Sequence, residues 1–163
     1  MSHFLESPFV EADFERWQQA GSAVFTKNKI VLNPEVKESK GAIYNKQNVV
    51  LGKHHDWIVD LKVGLGNEDK TTKGGNGMGI YYLRTLNKED IGQSLFGYTK
   101  KFDGLAIFLN TLLQKHTGAE DGSMSNYVQG FLNDGQSQVN FMKTTGEHNC
   151  VAAIRNRAEG ESF

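Results

Sequence analysis

Across residues 57–65 the apolar side chains fall on every second position: Trp57, Val59, Leu61, Val63 and Leu65 alternate with Ile58, Asp60, Lys62 and Gly64. A period of two puts alternate side chains on opposite faces of an extended chain, so a half-buried β-strand is predicted here. Similar short runs, bounded by glycine, asparagine or charged turns, are predicted as strands at 22–25, 30–32, 42–44, 49–51, 79–83, 105–109, 139–142 and 151–154. Helical spacing is thin. Phe14 and Trp17 are three apart in ADFERWQQAG and 86–95 has mixed spacing, so each supports at most a turn or two. Parallel strands need long crossovers, usually helices, and none is visible; the expectation is an all-β, antiparallel sandwich or jelly roll.

A chain of 163 residues suffices for one domain with a substantial core. Its 18 glycines against two prolines, and its 10 phenylalanines and 5 tyrosines, suit strands and tight turns. Eighteen lysines and arginines against 19 acids leave a formal charge of -1 without a long run of either sign, which argues against nucleic acid as a partner. No window approaches the roughly 18 apolar residues of a membrane helix. A single cysteine, Cys150, forbids an internal disulfide.

The polar, glycine-rich stretches 66–77, 114–126 and 133–138 are read as loops. GGNGMG at 74–79 has the look of a phosphate-binding turn, but that motif must open a helix and here it runs into Ile80, Tyr81, Tyr82 and Leu83; it is a strand entry. His54 and His55 are adjacent and point to opposite faces of a strand, and His148 with Cys150 lacks two further zinc ligands. A sandwich-fold glycoside hydrolase needs two carboxylates facing one another; Asp60 and Asp103 each read as alone among apolar neighbours, and no Gly-x-Ser-x-Gly elbow is present. The chain is expected not to be an enzyme. In FDGLAIFLNT, Leu105, Ile107 and Leu109 share one face and Ala106, Phe108 and Asn110 the other, and Asn133, Asp134 and Gly135 form a turn carrying one acid. Together these predict a carboxamide and a carboxylate at the rim of one sheet.

These pieces resemble the L-type, legume-lectin-like family in its animal and fungal cargo-receptor branch. GSAVFTKNKIVLNPEVKESKGAIYN, DWIVDLKV, GNGMGIYYL, FDGLAIFLNT and NDGQSQ follow one another in the family's order over nearly the whole chain. The resemblance implies a legume-lectin β-sandwich spanning 1–163 as one domain. It also implies that the chain is a fragment truncated at its C-terminal end, the missing strands carrying a partner for Cys150, and lacking a signal peptide, stalk and membrane anchor.

The resemblance further implies calcium-dependent recognition of high-mannose N-linked glycans on exported glycoproteins, in the lumen of the endoplasmic reticulum, the intermediate compartment and the Golgi. The family's first sugar-binding aspartate corresponds to Asn76, and its calcium-binding aspartate after the FDGLAIFL-like strand to Asn110. Its ligand supplied through a backbone carbonyl corresponds to Leu112, its shared calcium and sugar asparagine to Gln114, and its sugar-contacting histidine to Phe131. The second calcium-binding aspartate is retained as Asp134. The expected carbohydrate-binding set is therefore Asn76, Asn110, Gln114, Phe131 and Asp134, and the metal set Asn110, Leu112, Gln114 and Asp134. With one carboxylate in place of two, calcium is expected to be weakened, with potassium or no metal as alternatives. The alternative function is a degenerate lectin fold acting as a protein-interaction or co-receptor scaffold, and the sequence leaves the oligomeric state open.

Overall fold

The computed structural model describes residues 5–46, 58–66, 75–115, 124–140, 149–151 and 154. Contacts divide the chain into two compact units, one of residues 1–50 and 85–99, the other of 51–84 and 100–163.

The first unit opens with a short helix, α1 (Glu11–Arg16), followed by β1 (Trp17–Gly21), β2 (Val24–Phe25), β3 (Ile30–Val31) and β4 (Gly41–Asn45). The six-residue helix is held by one side chain. The Asp13 carboxylate accepts the Val10 N–H at 2.9 Å and pairs with Arg16 Nη2 at 2.9 Å, so a buried acid caps the first turn and ties it to the last. β1 pairs antiparallel with β4 from Trp17 opposite Asn45 to Gly21 opposite Gly41, and β2 pairs with β3. Phe25 meets Phe9 and Phe14 edge-on, with ring centroids 5.4 and 4.9 Å apart. Within 86–95 the helical content is a single 3-10 turn, Lys88–Asp90, capped by the Asn87 side chain, which accepts the Glu89 N–H at 3.3 Å.

The second unit holds a four-stranded antiparallel sheet in the order β5-β6-β7-β8, from β5 (Gly77–Leu83), β6 (Asp103–Lys115), β7 (Met124–Asp134) and β8 (Asn149–Val151). Its buried face is the one that carries Ala106, Phe108 and Asn110 on β6 and Tyr127, Gln129 and Phe131 on β7. Phe108 is wholly buried, with its ring centroid 5.7 Å from that of Tyr81 and 5.2 Å from that of Phe131, and Tyr81 in turn meets Phe102 at 5.6 Å. Each such pair adds about 0.5–1.5 kcal/mol to the burial of its rings.

Strands appear where the alternation at 22–25, 30–32, 42–44, 79–83 and 105–109 places them, with β8 covering the start of 151–154. Three expectations need correction. Residues 58–66 form no strand, and Ile58, Val59 and Leu61 are exposed. Alternation decides which side chains would share a face; a strand also needs another strand to pair with, and no described strand pairs with 58–66. Val139 and Asn140 lie outside any strand. The stretch 114–126, read as loop, is strand at both ends, because β6 runs on to Lys115 and β7 starts at Met124. The run at 49–51, Trp57, and the three histidines His54, His55 and His148 lie outside the described residues.

Candidate functional site

The start of β5, the middle of β6 and the first half of β7 converge at one corner of the sheet. Gly77 stands opposite Asn110, and Asn110 opposite Tyr127. GGNGMG enters a strand, as its sequence predicts, and Gly77 has φ 133, a backbone setting that side chains with a Cβ rarely adopt. Thr111 holds the approach to β5 at two successive carbonyls: its N–H donates to Asn76 O at 3.1 Å and its hydroxyl to Gly75 O at 2.6 Å. The β6–β7 register shifts between Asn110 and Gln114, and the Asn126 side chain spans the irregularity by donating to Thr111 O at 2.9 Å.

Behind this frame Asn110 is 1% exposed, and its Nδ2 donates to the Tyr127 hydroxyl at 2.8 Å. Two polar groups buried side by side satisfy one another, which removes most of the cost of taking either from water. Burial raises the Tyr127 phenol above the ordinary tyrosine value, and the Asn110 hydrogen bond offsets part of that rise. A raised pKa in the folded state means the fold holds the phenolic proton more tightly than the unfolded chain does. The resulting stability is complete below about pH 10 and is lost as pH climbs through the raised value. Tyr98, also buried and raised, acts in the same direction. Unfolding titrations from neutral to alkaline pH should therefore show stability falling above about pH 10, and less steeply in Tyr127→Phe. At neutral pH the same variant should lose about 1–3 kcal/mol, because the buried hydrogen bond from Asn110 Nδ2 to the Tyr127 hydroxyl is lost.

The structure brings some of the expected site residues together and separates others. Asn76 is exposed at the mouth of this corner, with Asn110 buried behind it as a strut. Leu112 and Gln114 follow on β6, Gln114 opposite Ser125. Phe131 is in the core, opposite Ala106 and packed against Phe108, so its ring fills the sheet's buried face. Asp134 is elsewhere: it stands opposite Asp103, seven residues along β6 from Asn110 (110 − 103), or about 23 Å at the rise of a strand.

At that far end Asp134 is exposed and its Oδ1 accepts the Gln136 and Ser137 N–H groups at 2.9 and 3.4 Å, bonds that hold its carboxyl below the ordinary aspartate value. Asp103, read as an isolated acid, faces it across the ladder and pairs with Arg84 Nε at 3.3 Å. Thr111, Asn126 and Tyr127 belong to the corner without having been singled out. Thr111 directly follows Asn110 in FLNT, but only the pairing of β6 with β7 shows that SNYV faces it.

Calcium takes six to eight oxygen ligands, several of them charged. The described residues contain no group of three histidines, cysteines or acids placed to hold a metal. The retained carboxylate, Asp134, is a strand's length from Asn110, whose Nδ2 donates to Tyr127. Asn110 and Asp134 are therefore too far apart to share one calcium ion.

The second unit thus presents an antiparallel sheet with a buried aromatic face and a hydrogen-bonded polar corner at its edge. A sequence model of the legume-like lectin family matches residues 1–163, and the chain belongs to that family. It is 27% identical over 144 residues to the vesicular integral-membrane protein VIP36 of Canis lupus familiaris, a match covering 86% of this chain and 38% of that protein. It is 25% identical over 160 residues to the VIP36-like protein of Bos taurus, covering 94% and 44%.

Among solved structures, the Ca2+-bound form of the VIP36 exoplasmic/lumenal domain matches with a TM-score of 0.65 at 24% identity, covering 94% of this chain and 62% of that one. The Ca2+/Man2-bound form matches with a TM-score of 0.67 at 23% identity, covering 94% and 60%. A metal-free form of the same domain matches at 0.66. The fold is thus the legume-lectin-like antiparallel β-sandwich. The chain spans less than half the length of these curated relatives.

Proposed function

We propose that this chain is the sugar-recognising part of a cargo receptor that binds high-mannose N-linked glycans on exported glycoproteins between the endoplasmic reticulum and the Golgi. Membership of the legume-like lectin family supports it, as do VIP36 structures solved with Man2 and with Man3GlcNAc. The lumenal location and a membrane anchor in the full-length protein follow the relatives, whose names describe a vesicular integral-membrane protein with an exoplasmic/lumenal domain. The observation that carries the reading to particular residues is the exposed carboxamide of Asn76 on a corner that Thr111, Asn110, Asn126 and Tyr127 hold in place.

A carboxamide accepts one hydroxyl hydrogen bond through its oxygen and donates another through its nitrogen, which suits a pair of neighbouring sugar hydroxyls. A neutral acceptor makes bonds about half as strong as a carboxylate's, so recognition is weak. It proceeds without calcium, since the retained acid is far from the corner. In titrations with a high-mannose oligosaccharide, Asn76→Ala should weaken binding by roughly two- to tenfold, the worth of a neutral hydrogen bond, while Asp134→Ala should leave it unchanged. Loss of binding in Asp134→Ala with none in Asn76→Ala would place the site at the other end of the sheet.

A second reading, a protein-interaction or co-receptor scaffold on a degenerate lectin fold, is favoured by the separation of Asp134 from Asn110. It predicts no oligosaccharide binding by the wild-type chain and partner capture that survives both substitutions.

A further inference from the structure

Asn76 is the only asparagine of the chain that a glycine follows. An asparagine side chain is attacked by the backbone nitrogen of the next residue when that residue has no Cβ to crowd the approach, when the side chain is exposed, and when the nitrogen is not engaged in a ladder. All three conditions meet here. Asn76 is exposed and lies one residue before β5. Thr111 N–H donates to Asn76 O, and Arg84 N–H to Asp103 O, so residues 76 and 84 stand in the hydrogen-bonded pairs of the β5–β6 ladder. Such pairs alternate with non-bonded ones in an antiparallel ladder, which makes Gly77 opposite Asn110 a non-bonded pair and turns the Gly77 N–H away from β6. Among the described residues β5 is the outer strand of its sheet, and no described strand takes up that nitrogen.

We propose that Asn76 is a site of spontaneous deamidation, converting the carboxamide at the mouth of the corner into a carboxylate. The Gly77 nitrogen, losing its proton to water or hydroxide, forms a bond to Asn76 Cγ. The side-chain amide leaves as ammonia, closing a five-membered succinimide. Water then opens the ring at either carbonyl, giving aspartate or isoaspartate at 76; one water is consumed, one ammonia released, and nothing is oxidised or reduced. The hydrogen bonds from the Thr111 hydroxyl to Gly75 O and from the Thr111 N–H to Asn76 O slow the reaction without blocking it, because a strand's first residue frays more readily than its middle. The consequence for binding rests on the sugar reading above: a carboxylate accepts hydroxyl hydrogen bonds about twice as strong as a neutral group's, so the aged aspartate form binds sugar more tightly than the fresh chain.

Trypsin releases Asn76 in the peptide GGNGMGIYYLR, in which it is the sole asparagine. The folded wild-type chain, held in mildly alkaline and in mildly acidic buffer, is sampled over time by peptide mass spectrometry. The expected result is that this peptide gains the mass difference between an amide and an acid several-fold faster than the peptides carrying Asn87 or Asn133. Conversion should be faster in alkali, and absent in Asn76→Gln, whose longer side chain does not close the five-membered ring. Conversion at Asn76 no faster than at Asn87 or Asn133 overturns the proposal, whatever the sugar result. A high-mannose titration of Asn76→Asp serves the other half: tighter binding than wild type is expected, and no binding with the acid formed would sink the sugar reading while leaving the modification standing.

Discussion

Phe108→Ala is expected to lower the unfolding free energy by about 3–5 kcal/mol, a large part of the 5–15 kcal/mol that holds a typical domain together. Phe108 is wholly buried at the centre of the β5–β7 sheet, between the rings of Tyr81 and Phe131, so truncation leaves a cavity that strand backbones cannot close. Phe108→Leu keeps most of the volume and should cost about half as much or less. Denaturant titration of the three proteins checks this: the midpoint should fall steeply for alanine and mildly for leucine, with the slope unchanged. Equal loss in both variants would mean that ring packing matters less than the strand's own hydrogen bonding.

Gly41→Ala should be comparably damaging for a different reason. Gly41 opens β4 in the first unit, where its N–H donates to Asn33 Oδ1 at 2.6 Å. A Cβ there would fall inside contact with the Leu32 carbonyl oxygen and 2.6 Å from the Ala23 nitrogen. Both neighbours are backbone, so neither can rotate aside, and the strands must part. A cost of about 3 kcal/mol or more follows, at the upper end of overpacking effects. Gly64→Ala is the control: a Cβ at Gly64 meets nothing within 4 Å, and the change should stay within about 0.5 kcal/mol. Similar thermal midpoints for the two variants would contradict the close approach of the backbone at Gly41.

The glycine of SKGAIYN can be read as a family signature, yet its physical reason lies in two backbone segments nearby in space, which no local pattern shows. The same division runs through the whole molecule. β5 and β6 are legible because Tyr81, Leu83, Ala106 and Phe108 alternate with their neighbours in uninterrupted apolar runs. β7 is not, because its inward positions include Gln129, 1% exposed, and an outward position is Gly130; buried polar and exposed small residues erase the period. β1, written WQQAG, is hidden because two adjacent glutamines, both exposed, break the alternation.

The candidate site divides similarly. The strand entry at Asn76 and the turn at Asp134 are local events, and both are present: Gly77 opens β5, and Asp134 accepts two amides of its own turn beside Gly135 at φ 77. The distance between them is not local. It is set by the register of β6 against β7, which puts Asn110 opposite Tyr127 and sends Asp134 to the opposite end of the ladder. Phe131 illustrates the remaining ambiguity, since an aromatic residue near a site motif reads equally as a stacking platform or as core, and burial against Phe108 decides for core.

Calorimetric titration of the chain with a high-mannose oligosaccharide, in calcium and in chelator, tests sugar recognition at the Asn76 corner without a metal. Weak binding of the same strength is expected in both. Binding that appears only with calcium would contradict metal-free recognition, because Asn110 and Asp134 would then have to share one ion.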